Sequence, residues 1–265
     1  MFGTYILPIL IFAALGIIAG ALLTLFSKVF EVKTDERFEQ LSEALPQINC
    51  GACGFSGCNE YAKAILNNNE KTNLCNPGGD ATSKKISEIL GVEFSDVIEQ
   101  VAFIHCSGAC NVTSTKYNFE GTQSCVASNR FYNGSKVCTS GCLGFGDCLS
   151  VCPNNAIILK DGIAVVDNTR CVGCGLCVKA CPNKLITMKP LTQIFDVACS
   201  STEIGRVTKM ECKVGCIGCK ICKRECPSRA IKVDNYCATI NYQKCTQCGK
   251  CAEVCPTGSI VKIEA

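Results

Sequence analysis

The chain has 265 residues, 26 of them Cys, with a formal net charge of +3, one His (His105) and no Trp. That charge gives no support to nucleic-acid binding, and a lone His excludes His-based acid–base catalysis and repeated Cys/His zinc sites. Cysteine at this density leaves three readings, a disulfide scaffold, zinc modules or iron–sulfur clusters, in a chain long enough for two or three small domains.

The first element is expected over residues 1–28. From Tyr5 to Phe26 the chain runs 22 residues without a charge, and a bilayer core needs about 20 apolar residues as helix. A secretory signal would want a basic n-region, and Met1 to Thr4 carry none, so the segment reads as a retained transmembrane helix. Lys28, Lys33 and Arg37 follow it, and the positive-inside rule places the remainder in the cytoplasm. A reducing cytoplasm keeps thiols free for metal, which removes the disulfide reading. Gly16 and Gly20 form a G-x-x-x-G that would admit a second helix closely, although Gly is common in membrane helices in any case. No ionisable residue lies in the span, so this helix alone offers no ion path.

Residues 33–95 are expected to form a small domain around Cys50, Cys53, Cys58 and Cys75, spaced C-x2-C-x4-C-x16-C. Three close thiolates and one from further along suit the corners of a [4Fe-4S] cubane. A structural zinc site would show two C-x2-C pairs, and only one is present.

A connector over 96–135 follows, then two modules over 136–190 and 191–265. Three runs read C-x2-C-x2-C-x3-C-P, starting at Cys171, Cys216 and Cys245. This is the bacterial ferredoxin run, whose fourth Cys ligates the other cluster of a pair. Cys138, Cys142, Cys148, Cys152, Cys171, Cys174, Cys177 and Cys181 each recur 74 residues later, as does Cys125 at Cys199, so the second half is a duplicated two-cluster module. The copies differ where Phe145 stands in place of Cys219. Cys138 is the natural substitute, giving crossed sets of Cys138, Cys142 and Cys148 with Cys181, and Cys171, Cys174 and Cys177 with Cys152. In the second copy the sets are Cys216, Cys219 and Cys222 with Cys255, and Cys245, Cys248 and Cys251 with Cys226. Short β-branched stretches between the runs suit a small α+β ferredoxin-like fold.

Five clusters use twenty thiolates. Cys106, Cys110 and Cys125 offer three ligands toward a sixth, with no fourth in view; His105 reads as incidental. Cys199 and Cys237 read as small buried apolar residues, and Cys212 has no necessary role. No Walker motif or dinucleotide loop is present, so the chain offers one-electron carriers and no site for hydride transfer. Lys213, Lys220, Lys223, Arg224 and Arg229 read as a solvated charged face that an acidic protein would also find attractive.

The anchor, the stretch LPQINCGACGFSGCNEYAKAI…CNPGGD, and runs such as GCLGFGDCLSVCP and GCIGCKICKRECP together resemble the B subunit of the Rnf complex, an ion-translocating ferredoxin:NAD oxidoreductase of bacterial membranes. The resemblance covers nearly the whole chain. It implies a single-pass protein of the bacterial inner membrane that takes electrons from soluble ferredoxin and passes them to flavin- and NAD-handling subunits, with ion pumping a property of the complex. A ferredoxin-like subunit of another membrane complex, serving a hydrogenase or a corrinoid protein, would carry the same clusters. A zinc-rich scaffold is the reading from another class.

Overall fold

A computed structural model describes residues 2–29 and 35–263; Lys33, one of the basic residues expected to follow the span, lies outside the described residues. The chain divides into two units between Gln40 and Leu41.

In the first unit, α1 (Phe2–Val29) is a single helix of 28 residues, about 42 Å long at 1.5 Å per residue. Its stretch Leu10–Ser27 has mean hydropathy 2.4, and none of it is buried. Within that stretch the Thr24 hydroxyl bonds back to the carbonyls of Gly20 (3.1 Å) and Ala21 (2.9 Å), so its polar group is satisfied inside the helix.

A short helix, α2 (Glu36–Ala44), runs across the division, and the second unit is mixed helix and strand. Its further helices are α3 (Cys58–Asn68), α4 (Gly79–Leu90), α5 (Cys125–Asn129), α6 (Asp147–Ser150), α7 (Leu176–Ala180), α8 (Gly205–Glu211), α9 (Ile221–Glu225) and α10 (Lys250–Glu253). The α3 sequence buries Cys58, Tyr61, Ala62 and Ile65, an i, i+3, i+4, i+7 stripe, and ends at Asn69 in the left-handed region that Asn tolerates. Gly91, at φ 67°, ends α4 and donates its N–H to the Ser87 carbonyl.

Four two-stranded antiparallel sheets carry the rest: β1 (Gln100–Ile104) with β4 (Ile186–Pro190), β2 (Ile157–Lys160) with β3 (Ile163–Val166), β5 (Phe195–Val197) with β8 (Ile260–Lys262), and β6 (Ile231–Asp234) with β7 (Cys237–Ile240). The duplication is visible in the packing. One core gathers Ile157, Ala164 and Ile186 around Cys148 and Cys177. The other gathers Ile231, Ala238 and Ile260 around Cys222 and Cys251. Each residue of the first set lies 74 positions before its counterpart in the second. Cores this small bury little apolar area, so metal ligation must contribute much of the folding free energy.

The connector does not stand apart from the modules. Its strand β1 pairs with β4 from Gln100↔Pro190 to Ile104↔Ile186, as β5 pairs with β8 through Val197↔Ile260. Each module is therefore completed by an edge strand that precedes its first run of cysteines.

Candidate metal centres

The loops that carry the cysteines share one backbone device. Between successive Cys residues, positions 144 and 146, 173 and 175, 218 and 220, and 247 and 249 all have positive φ. Right- and left-handed residues in alternation turn successive N–H groups to one side, a concavity that favours anionic sulfur. At Gly173 no other residue fits, since a Cβ would strike the Asn76 side chain and the Gln100 carbonyl. Further N–H groups point at thiols directly: Ala102 to Cys171, Ala164 to Cys142, Leu185 to Cys181 and Ala230 to Cys226, all at 3.4 Å, and Ala156 to Cys152 at 3.3 Å.

Near the start of the second unit, Cys75 lies within the electrostatic reach of Cys58, Cys53 and Cys50, and burial pushes its thiol up to about 11. Tyr61, which is 1% exposed, holds this loop. Its hydroxyl donates to the Lys71 carbonyl at 2.6 Å and accepts the Leu74 N–H at 3.2 Å. Cys177 lies among Cys171, Cys174 and Cys152, and burial raises its thiol to about 12. In the second module one cavity is lined by Cys216, Cys219, Cys222 and Cys255, and another by Cys226, Cys245, Cys248 and Cys251. These four groupings coincide with the sets expected from the spacing.

The remaining expected set does not. Cys142, Cys148 and Cys181 line a space with Cys125, and Cys138 is not part of it. Cys148 feels Cys142, Cys125 and Cys181, with burial lifting its thiol to about 12. The physical reason is a carboxylate. Asp147 accepts the N–H of Cys125 at 2.8 Å, that of Val126 at 3.0 Å and the Ser124 hydroxyl at 2.9 Å, which docks the start of α5 beside Cys148.

Cys138 instead lines a second space with Cys106, Cys199 and Cys212. Burial pushes the Cys138 thiol up to about 12, and Cys106, Cys199 and Cys212 add to the rise. The expected trio of Cys106, Cys110 and Cys125 is thus divided among three places: Cys106 here, Cys125 in the first module, and Cys110 exposed. Cys199 and Cys212, read as structural or spare, both belong to this group. Cys237 does not line this space but stands beside it: its thiol donates to the Cys199 carbonyl at 3.2 Å and is within hydrogen-bonding reach of the Cys199 and Cys216 thiols. His105 is no ligand: Nδ1–H donates to the Val197 carbonyl and Nε2 bonds the Thr187 hydroxyl, both at 2.7 Å.

Among the described residues no three Cys, His, Asp or Glu side chains converge on a point that one metal ion would occupy. The thiols stand around open spaces instead, an arrangement that a polynuclear cluster with Cys at its corners fits. The donor set is uniformly soft sulfur, which suits iron–sulfur chemistry.

The groups are close neighbours. Lys179, two residues beyond Cys177, donates to the Cys50 carbonyl at 2.9 Å, and Cys174 feels both Cys50 and Cys152. Cys148 feels Cys177 across the first module, and the Cys142 N–H donates to the Cys106 thiol at 3.2 Å.

Comparison with known proteins agrees with this picture. A family model for a putative Fe-S cluster matches residues 45–77. Models for 4Fe-4S binding domains match 164–187 and 238–261, 142–156, and 215–234. The B subunit of the Na(+)-translocating ferredoxin:NAD(+) oxidoreductase complex of Acetobacterium woodii is 36% identical over 261 residues, 98% of this chain and 78% of that protein. The B subunit of the proton-translocating ferredoxin:NAD(+) oxidoreductase complex of Clostridium ljungdahlii is 38% identical over 98% of this chain and 93% of its own length. That of an ion-translocating oxidoreductase complex from Methanosarcina acetivorans is 37% identical over 95% and 96%. The chain belongs to the B-subunit family of ion-translocating oxidoreductase complexes. It is thus an electron-transfer subunit with 4Fe-4S ferredoxin-type domains and one apolar N-terminal helix, and it is associated with a membrane complex. None of Cys106, Cys125, Cys138, Cys199 or Cys212 falls in a matched segment.

Proposed function

We propose that this subunit accepts electrons from a reduced soluble ferredoxin and delivers them toward flavin- and NAD-handling partner subunits. In this reading α1 anchors it in the membrane and the cysteine-bearing unit lies on the cytoplasmic side. Five sites carry the core of the reading: Cys50, Cys53, Cys58 and Cys75; Cys152, Cys171, Cys174 and Cys177; Cys125, Cys142, Cys148 and Cys181; Cys216, Cys219, Cys222 and Cys255; and Cys226, Cys245, Cys248 and Cys251. A [4Fe-4S] cluster bound in such a site supplies reversible one-electron transfer, with no bond made or broken in the substrate.

The observation that carries this function is the adjacency of the thiol groups within one unit, where backbone N–H groups aim at sulfur. The protein's own part is to hold, insulate and tune. Thiolates fix each site, N–H donors to sulfur stabilise the extra negative charge of the reduced state, and burial limits water. Cys219 and Cys248 are the exposed thiols of the second module, and Lys220, Lys223 and Arg224 lie beside Cys219 and Cys222 in sequence. A positive rim around exposed ligands suits an acidic electron donor.

Anaerobic measurement of iron, acid-labile sulfide and zinc on the full chain in detergent, followed by rapid mixing with reduced ferredoxin, tests the proposal. Iron and sulfide in equal amounts, with bleaching of the cluster absorbance on mixing, are expected. Zinc without sulfide, or clusters that ferredoxin leaves oxidised, would overturn it.

A further inference from the structure

The duplicated halves build one site that neither could build alone. Cys106 follows Ile104 by two residues, and Ile104 is the last residue of β1, paired with Ile186. Cys199 follows Val197 by two residues, and Val197 is the last residue of β5, paired with Ile260. Ile186 and Ile260 are 74 positions apart, so Cys106 and Cys199 occupy the same place on the edge strands of the two modules. The local geometry repeats as well: the Gly108 N–H donates to the Cys106 thiol at 3.4 Å, and the Ser201 N–H to the Cys199 thiol at 3.5 Å. Cys138 and Cys212 are the second equivalent pair.

The four meet where the modules abut. The Ser107 N–H donates to the Ala198 carbonyl at 3.0 Å, which ties the two edge-strand ends together. A Cβ at Gly108 would lie 3.5 Å from the Cys106 sulfur and 3.7 Å from the Cys212 sulfur. One at Gly141 would lie 3.4 Å from the Cys138 sulfur and 3.7 Å from that of Cys106. Glycine at both positions leaves the space between the thiols open. A buried ammonium completes the site: Lys136 is 8% exposed, lines the same space, and its Nζ donates to the carbonyls of Gly162 (2.7 Å) and Gly108 (3.4 Å). It forms no ion pair with a carboxylate among the described residues. A buried cation without a carboxylate implies a different anion beside it.

We infer that Cys106, Cys138, Cys199 and Cys212 hold a sixth [4Fe-4S] cluster at the interface between the two modules. This rests on the electron-transfer reading above and deepens it. Four soft ligands, two N–H donors to sulfur and a compensating ammonium match an anionic thiolate-bound cluster. The site also joins what would otherwise be two separate pairs of carriers. On one side the Cys142 N–H bonds the Cys106 thiol. On the other, Cys237 at the start of β7 donates its thiol to the carbonyl of Cys199, and its neighbour Ala238 lines the Cys216 site. One electron enters and one leaves, so the step balances without a further reactant.

The test is iron and sulfide content of the full chain, purified without oxygen, for wild type and for Cys138→Ser, Cys199→Ser and their double variant. The wild type should hold about 24 irons, and each single variant and the double should all hold about 20. Cys110→Ser, at an exposed thiol outside every group, should match the wild type. Where a single variant loses more than one cluster, the equivalent residue of the other module, Cys212→Ser or Cys106→Ser, is measured in its place, with the same loss of about four expected. A single variant at wild-type iron, or a double variant that loses about eight, would place these thiols in no common site and overturn the inference. A wild type without iron would instead remove the electron-transfer reading itself.

Discussion

Replacing Asp147 with Ala should free one cluster's iron while the rest of the chain stays folded. Asp147 accepts three hydrogen bonds from the segment that carries Cys125 and sits next to Cys148. Burial raises its carboxyl pKa, but bonds from the Cys125 and Val126 N–H groups and the Ser124 hydroxyl outweigh that, and the net position lies below the ordinary carboxylate range. Bonds to a charged acceptor contribute about 1.5–3 kcal/mol each, and partial exposure with water replacing some of them brings the three together to about 3 kcal/mol. At about 1.4 kcal/mol per tenfold, the docked form of this loop falls roughly 100-fold relative to the undocked one. Anaerobic transfer of iron to a chelator should show about four irons leaving in a new phase up to roughly 100-fold faster. Asp147→Asn, which keeps one acceptor oxygen, should fall between. A depressed carboxylate contributes stability above its unfolded pKa of about 3.9 and loses it as pH falls through the lower folded value, so the difference between wild type and variant should be constant from about pH 6 to 9. A variant that releases iron with the wild-type time course would refute the role of Asp147 and the place assigned to Cys125.

Tyr61→Phe removes the hydroxyl that joins Lys71 and Leu74, two part-buried hydrogen bonds whose loss should cost about 1 kcal/mol; the iron of the Cys50 site should be released faster and thermal unfolding should begin earlier. Gly173→Ala forces a side chain against Asn76 and the Gln100 carbonyl from a left-handed backbone, so it should separate the Cys75 loop from the first module, read as new protease sensitivity near residues 70–100. Lys136→Met removes the buried ammonium beside Cys106 and Cys138 and should make that site's reduction potential more negative in an EPR-monitored titration; an unchanged potential would show that the ammonium faces no cluster.

The regular ferredoxin runs and the Cys50 group were legible because three thiols of each group are close in sequence, the regular runs name their distant fourth by the crossed pairing, and the spacing reflects one backbone device. What the spacing could not convey is which distant thiol completes an irregular set. Cys138 lies four residues before Cys142 and so looks like its partner, yet the chain turns between them and sends the two sulfurs to different spaces. The offset of 74 also pairs Cys125 with Cys199, and there it misleads. Cys125 opens a helix docked by Asp147, whereas Cys199 follows an edge strand, as Cys106 does. Edge-strand pairing is long-range, and no local pattern announces it. One signal was within reach: Cys138 and Cys212 are equivalent by the repeat, and a thiol with no necessary role in one copy weakens the case for its twin as a ligand of the regular run in the other.

The same asymmetry explains why Phe145 can stand where the second copy has Cys219. Phe145 packs against Phe119 with ring centroids 5.6 Å apart, and Phe119 against Phe131 at 6.0 Å, so the aromatic side chain docks the loop that delivers Cys125. In the proposed ligand sets, a thiol on the run has been exchanged for a thiol on a cover. The consequence is burial: Cys125 is 8% exposed, whereas Cys219 is exposed. The first module's group of thiols is thereby shielded from solvent, while its counterpart keeps a thiol at the surface. The backbone still suits the regular arrangement, since Gly144 and Gly146 have φ of 83° and 85° and Gly218 and Lys220 have 64° and 62°. Cys125→Ser should therefore lose about four irons, and adding Phe145→Cys should restore them by rebuilding the regular run. The restored site should be more readily oxidised by air, because its new ligand lies at the surface and the aromatic anchor of the cover is gone. A double variant that holds no more iron than Cys125→Ser would show that the two copies no longer share a loop geometry at this corner, and the exchange of ligand for cover would not be the reason for Phe145.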